Sequence, residues 1–164
     1  MTIRSFKAVL AGSAMLALAL GATSAQAANT ATATATASIL KQVSVTKTAD
    51  LNFGTIVTGT TAATVVISPA GGRTCGTGLV CTNAVTAAAF GIVGTTAQTV
   101  TLAAAGPVTL TAGANTMSAT LQTSSATRVL NGTDSFTVGG TLSVAANQAD
   151  GVYTGSFSVT VDYQ

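Results

Sequence analysis

The closing stretch Gly151-Val-Tyr-Thr-Gly-Ser-Phe-Ser-Val-Thr-Val-Asp-Tyr163-Gln164 constrains the fold more than any other part of the chain. From Tyr153 onward every second residue (Tyr153, Gly155, Phe157, Val159, Val161, Tyr163) is apolar or Gly, and Thr, Ser or Asp stands between them. Side chains of a strand alternate between two faces, so this spacing predicts a β-strand with one dry and one wet face. The sequence ends one residue after Tyr163. A strand in that position offers another protein a backbone edge to grip. The expectation is assembly rather than chemistry.

The opening residues read as an export signal. Arg4 and Lys7 give a positive start, Ala8 to Ala22 an apolar run, and Ala25-Gln26-Ala27 a small-residue cleavage site. The apolar run is shorter than the ~20 residues that span a bilayer, and no Cys near Ala27 could carry a lipid anchor. The expected organisation is a signal peptide over 1–27, an N-terminal extension over 28–47 and a β-domain over 48–164. Export would take the chain through the periplasm to the cell surface or medium, with no stable membrane insertion once the signal is cleaved. What remains suits one domain of the usual ~100–150 residues.

Composition narrows the chemistry. His, Glu and Trp are absent, so neither a Ser-His-Asp nor a Cys-His relay can be built. Asp50, Asp134, Asp150 and Asp162 lie far apart, with no spacing that suggests a paired acid and base. Two Cys without His do not complete a zinc site, and no calcium loop occurs. Neither catalytic residues nor a metal or other cofactor is expected, and the chain does not read as an enzyme. Once the signal is removed, Lys41, Lys47, Arg73 and Arg128 balance the four Asp. Scattered cations of that kind give no phosphate-tracking surface, so nucleic acid is not an expected partner.

Thr, Ala, Val, Gly and Ser dominate the rest. Disordered chains have low hydrophobicity, but here hydrophobic residues make up 48% and they alternate, which favours a folded β-protein. Branched Thr and Val suit a pleated surface. Short alternating runs predict strands near 51–57, 63–68, 84–93, 98–103, 108–111, 116–123 and 135–145, followed by the closing strand. Turn residues separate them at Thr58-Gly59, Pro69-Ala-Gly-Gly72, Ala105-Gly-Pro107, Ala112-Gly-Ala-Asn115, Asn131-Gly132 and Asn147 to Gly151. The fold class is therefore all-β, a sandwich or barrel. Cys75 and Cys81 flank a Gly-rich loop and are most simply a local disulfide in an exported chain, worth roughly 2 kcal/mol by loop entropy.

Residues 29–45 alternate Ala with Thr and then carry Ile39, Val43 and Val45 on one parity, with Lys41 among them. Such a segment is either an internal edge strand or an arm that pairs with a different subunit. Extended, it reaches up to ~55 Å, enough to lie along a neighbouring domain.

The two ends together resemble known proteins. An aromatic in the penultimate position (Tyr163) and a Gly fourteenth from the end (Gly151) are similar to the C-terminal signature of chaperone–usher pilins. The opening Leu51-Asn-Phe-Gly-Thr-Ile56 resembles that of spore-coat-U-like, archaic-type pilins. The mature chain also looks like a bacterial family of exported domains of unknown function. That likeness lies at Leu51 to Val57, Val66-Ile-Ser-Pro-Ala-Gly71, Gly139-Gly-Thr-Leu-Ser-Val144 and Asn147 to Gly155. The pilin resemblance implies an immunoglobulin-like antiparallel β-sandwich lacking one strand, filled first by a periplasmic chaperone and then by the extension of the next subunit. Tyr153, Phe157, Val159, Val161 and Tyr163, after Gly151, would then line the groove, and Ile39, Val43 and Val45 would be the donor-strand knobs. Partners implied are copies of itself or related subunits, a periplasmic chaperone and an outer-membrane usher.

Three functions follow as expectations: a structural subunit of a surface fibre built by strand exchange, a monomeric secreted adhesion or binding module, and a coat or matrix protein without ordered polymer.

Overall fold

The computed structural model describes residues 29–164, so the expected signal peptide lies outside the described residues. Two units are distinguished, and the second, Ser38–Gln164, holds the folded domain. Residues 29–43 carry no regular secondary structure, and 29–42 are exposed. The domain is built from twelve strands: β1 Ser44–Ala49, β2 Thr55–Val57, β3 Ala63–Ile67, β4 Arg73–Cys75, β5 Val80–Thr82, β6 Ala88–Val93, β7 Thr99–Ala104, β8 Val108–Ala112, β9 Asn115–Thr123, β10 Thr127–Val129, β11 Thr133–Val144 and β12 Val159–Tyr163. The described residues contain no helix.

Strand β11 organises the larger sheet. Its first half pairs with β6 (Phe136 opposite Phe90) and its second half with β3 (Leu142 opposite Val65). Residues 138–143 pair on the other edge with β9, and β9 in turn pairs with β8. Strands β6 and β3 therefore lie end to end on one edge of β11. The junction is Gly139-Gly140, where a Cβ on Gly139 would overlap the Ile67 carbonyl. Only Gly admits the three strands there. β1 extends the sheet beyond β6, and β4 extends it beyond β3. The sheet has seven strands, faced by a three-stranded sheet β10-β7-β12 and a two-stranded pair β2-β5.

The alternation read from the sequence is what fills the space between these layers. Phe90, Ile92, Val100, Leu102, Phe136, Val138 and Val161 form one buried cluster; Phe53, Val65, Ile67, Ala119, Leu142 and Val144 form a second. Leu51 packs against both. Each fully buried aliphatic contributes about 1.5–3 kcal/mol relative to exposure. The result is an all-β antiparallel sandwich.

Most expected strands are present, with shifted limits. The 51–57 reading shortens to Thr55–Val57, and the 84–93 reading begins at Ala88. Strands β4, β5 and β10 were not legible, because three residues are too few to show a period of two. The closing stretch is not one strand. Thr154 bridges Thr111 of β8 in the large sheet, whereas Val159–Tyr163 pairs with β7 in the three-stranded sheet. The chain crosses between layers at 155–158.

Turns fall where Gly and Asn predicted them. At Asn131-Gly132 the turn leads from β10 to β11, and Gly132 takes a φ of 99°. Asp134 secures it: one carboxylate oxygen accepts from the Asn131 N–H at 2.7 Å, and the other from Arg128 Nε at 3.0 Å. The backbone bond first and then the arginine hold this carboxyl below the usual carboxylate range. A folded-state pKa below the unfolded value of about 3.9 means stability present above that value and lost as pH falls through the folded one. Replacing Asp134 by Asn should lower stability at neutral pH and flatten the acid limb of the stability–pH curve, as followed by urea midpoints below pH 5.

Candidate functional site

Over the second core cluster a groove with a cavity volume of 660 Å³ opens. Its floor is apolar: Leu110 of β8, Met117 of β9, and Leu142 and Val144 of β11. One wall is the segment 51–58, which includes β2; the other is the loop 148–153. β2 pairs with β5 on one edge and with no strand on its other edge. Hydrophobic side chains stay exposed at the rim, with Val152 84% and Val57 56% accessible.

Each wall is fixed by polar bonds that alternation could not reveal. In the loop 148–153, the Tyr153 hydroxyl donates to the Ala149 carbonyl at 2.9 Å and accepts from Gln148 Nε2 at 2.8 Å. Gln148 also donates to the Thr116 carbonyl of β9 at 3.3 Å. Within this wall Gly151 takes a φ of 147°, a region that favours Gly.

The opposite wall is tied down through β5. The Cys75–Cys81 disulfide, with Cα atoms 6.1 Å apart, links β4 of the large sheet to β5. Beside it the Arg73 guanidinium donates to the carbonyls of Thr82 (2.8 Å), Asn83 (3.0 Å) and Cys81 (3.1 Å). Gly54 lies against this group: a Cβ there would sit 2.8 Å from Arg73 Nη1 and 2.7 Å from the Thr82 carbonyl, at a φ of 77°. Sequence reasoning missed Arg73. The available signal was its position two residues before a cysteine, in a chain almost without charge.

The residues expected to line one continuous groove are divided. Gly151 and Tyr153 line it. Phe157, Val159, Val161 and Tyr163 instead close the first core cluster, with Phe157 edge-on to Phe90 at 6.2 Å between centroids. They lie in or beside β12, whose one strand partner is β7. The expected donor residues divide as well. Val43 and Val45 pack on the first cluster of their own domain, and β1, which contains Val45, pairs with β6. The sandwich thus takes in Ser44–Lys47 from the expected extension. Ile39 remains 93% exposed. The arm's root is clasped at Lys41, whose carbonyl accepts from the Tyr163 hydroxyl and whose N–H donates to Thr95 Oγ1, each at 2.8 Å. The same Tyr163 oxygen accepts from the Thr95 N–H at 2.8 Å. Among the described residues no three of His, Cys, Asp and Glu gather as metal ligands would.

An all-β sandwich with an open apolar groove is the class these features define. Residues 43–163 match the family model described as a domain of unknown function (DUF4402), and the chain belongs to that family. No curated protein and no solved structure matches it.

Arg73→Ala should destabilise the domain by about 2 kcal/mol in urea unfolding, because three carbonyls lose a charged donor. Arg73→Lys should recover less than half of that, since an ammonium cannot reproduce the planar fork.

Proposed function

We propose that this protein is a structural subunit of a surface fibre, polymerising as the exposed arm of one copy enters the groove of the next. One observation carries this reading: an apolar groove beside an unpaired strand edge, in a chain whose residues 29–43 form no regular secondary structure, carry no charge before Lys41 and leave Ile39 exposed. An extended arm laid on the free edge of β2 would add a strand to β2-β5 and cover the groove floor, recognition by β-augmentation. Burying Ile39 would contribute about 1.5–3 kcal/mol, and the backbone ladder would fix the register. Arm-into-groove contact is heterologous, so it propagates into a filament instead of closing. The similarity of Gly151 and Tyr163 to the C-terminal signature of chaperone–usher pilins, and of the Leu51–Ile56 opening to spore-coat-U-like pilins, supports the same reading. It would bring a periplasmic chaperone and an outer-membrane usher as partners during export.

A second reading is a self-contained secreted adhesion or binding module, or a coat or matrix protein, that does not form an ordered polymer. The seating of Val43 and Val45 on their own core favours it, because the domain already closes on that side.

Purified mature protein should give SDS-resistant ladders and filaments by electron microscopy. Deleting residues 29–40 should abolish both while leaving the thermal unfolding of the domain within a few degrees of the parent. A deletion variant that assembles as the parent does, or a parent that stays monomeric, would leave the self-contained module.

A further inference from the structure

We infer that Lys41 of the entering arm pairs with Asp150 at the rim of the receiving groove, setting the depth and direction of insertion; this rests on the strand donation proposed above. Five of the eight charged side chains among the described residues are already engaged. Lys47 pairs with Asp50 at 2.7 Å and Arg128 with Asp134 at 3.0 Å, while Arg73 is held by three carbonyls. Among the described residues the side chains of Lys41, Asp150 and Asp162 have no ion-pair partner. Lys41 is the one charge in residues 29–43, and Asp150 is the one charge among the residues lining the groove. Both are exposed.

Geometry gives the pairing its meaning. Ile39 and Lys41 share a parity, so an extended arm that turns Ile39 toward the groove floor turns Lys41 the same way, about 6.7 Å further along. An ammonium over Leu110 or Val144 would be costly. At the rim it meets the Asp150 carboxylate instead. The backbone of Lys41 is meanwhile clasped to its own subunit by Tyr163 and Thr95. The junction between copies thus falls at one residue, with its main chain held by the donor and its side chain by the acceptor. Insertion in the reverse direction, or two residues deeper, would place the lone cation over apolar floor. The pair therefore acts as a stop and a direction marker, a role suited to charge complementarity, which contributes more to specificity and rate than to affinity.

The test uses mature full-length protein and follows assembly by light scattering and SDS-resistant ladders. Lys41→Glu and Asp150→Lys should each slow assembly about tenfold at low salt, with the gap narrowing at high salt. The double variant, and a one-to-one mixture of the two single variants, should regain the parental rate, since every interface again joins opposite charges. Asp162→Lys should assemble like the parent. Both altered side chains are exposed, so thermal unfolding should not move. Single variants as fast as the parent, no recovery in the double variant, or an equal defect in Asp162→Lys would overturn the pairing while strand donation stands. A parent that does not assemble would overturn strand donation itself.

Discussion

Strand β11 has to accept three partners at once, and the rest of the molecule follows from how it does so. Twelve residues are long enough for β6 and β3 to share one edge in series while β9 occupies the other. Where those partners meet, a Cβ on Gly139 would overlap the Ile67 carbonyl and one on Gly140 would press on Thr120, Leu51 and Phe53, so two glycines stand in the middle of a buried strand. The cost of glycine in a strand interior is offset by the side chains on either side: Phe136 and Val138 enter one cluster, Leu142 and Val144 the other. A single strand thereby founds both halves of the core.

The division of the core also divides the covering layer. The β10-β7-β12 sheet closes one half tightly, and β2-β5 covers the other incompletely. The groove is the uncovered remainder. Its two walls, segment 51–58 and the loop 148–153, stand apart over Leu110, Met117, Leu142 and Val144. Beyond Thr154 the last segment goes on to pair with β7, which brings Tyr163 to the root of the arm and fixes where the chain emerges.

How far the sequence could be read has a physical limit here. A period of two specifies which face a side chain takes, and the inward set Phe157, Val159, Val161 and Tyr163 is as the alternation required. It says nothing about which edge the backbone meets. The closing stretch therefore read as one wall, although its two ends belong to different layers. The arm shows the same ambiguity, since Ile39, Val43 and Val45 share a parity while two of them sit in the domain and one projects from it. The turns and the disulfide were legible because Gly, Asn and paired Cys act locally. Arg73 was not, because its carbonyl partners are backbone groups whose position depends on the fold, and no sequence pattern marks them.

That choice of partners has a bearing on where such a molecule can work. Carbonyl oxygens take up no proton in ordinary acid, and guanidinium keeps its charge far into alkali. The rivet beneath the β2 wall is therefore indifferent to the acidity of its surroundings, unlike the Arg128–Asp134 turn. Beside it stands a covalent link that yields to reductants rather than to acid. In a souring medium the Arg128–Asp134 turn would weaken while the Arg73 clasp and the Cys75–Cys81 link keep their bonds.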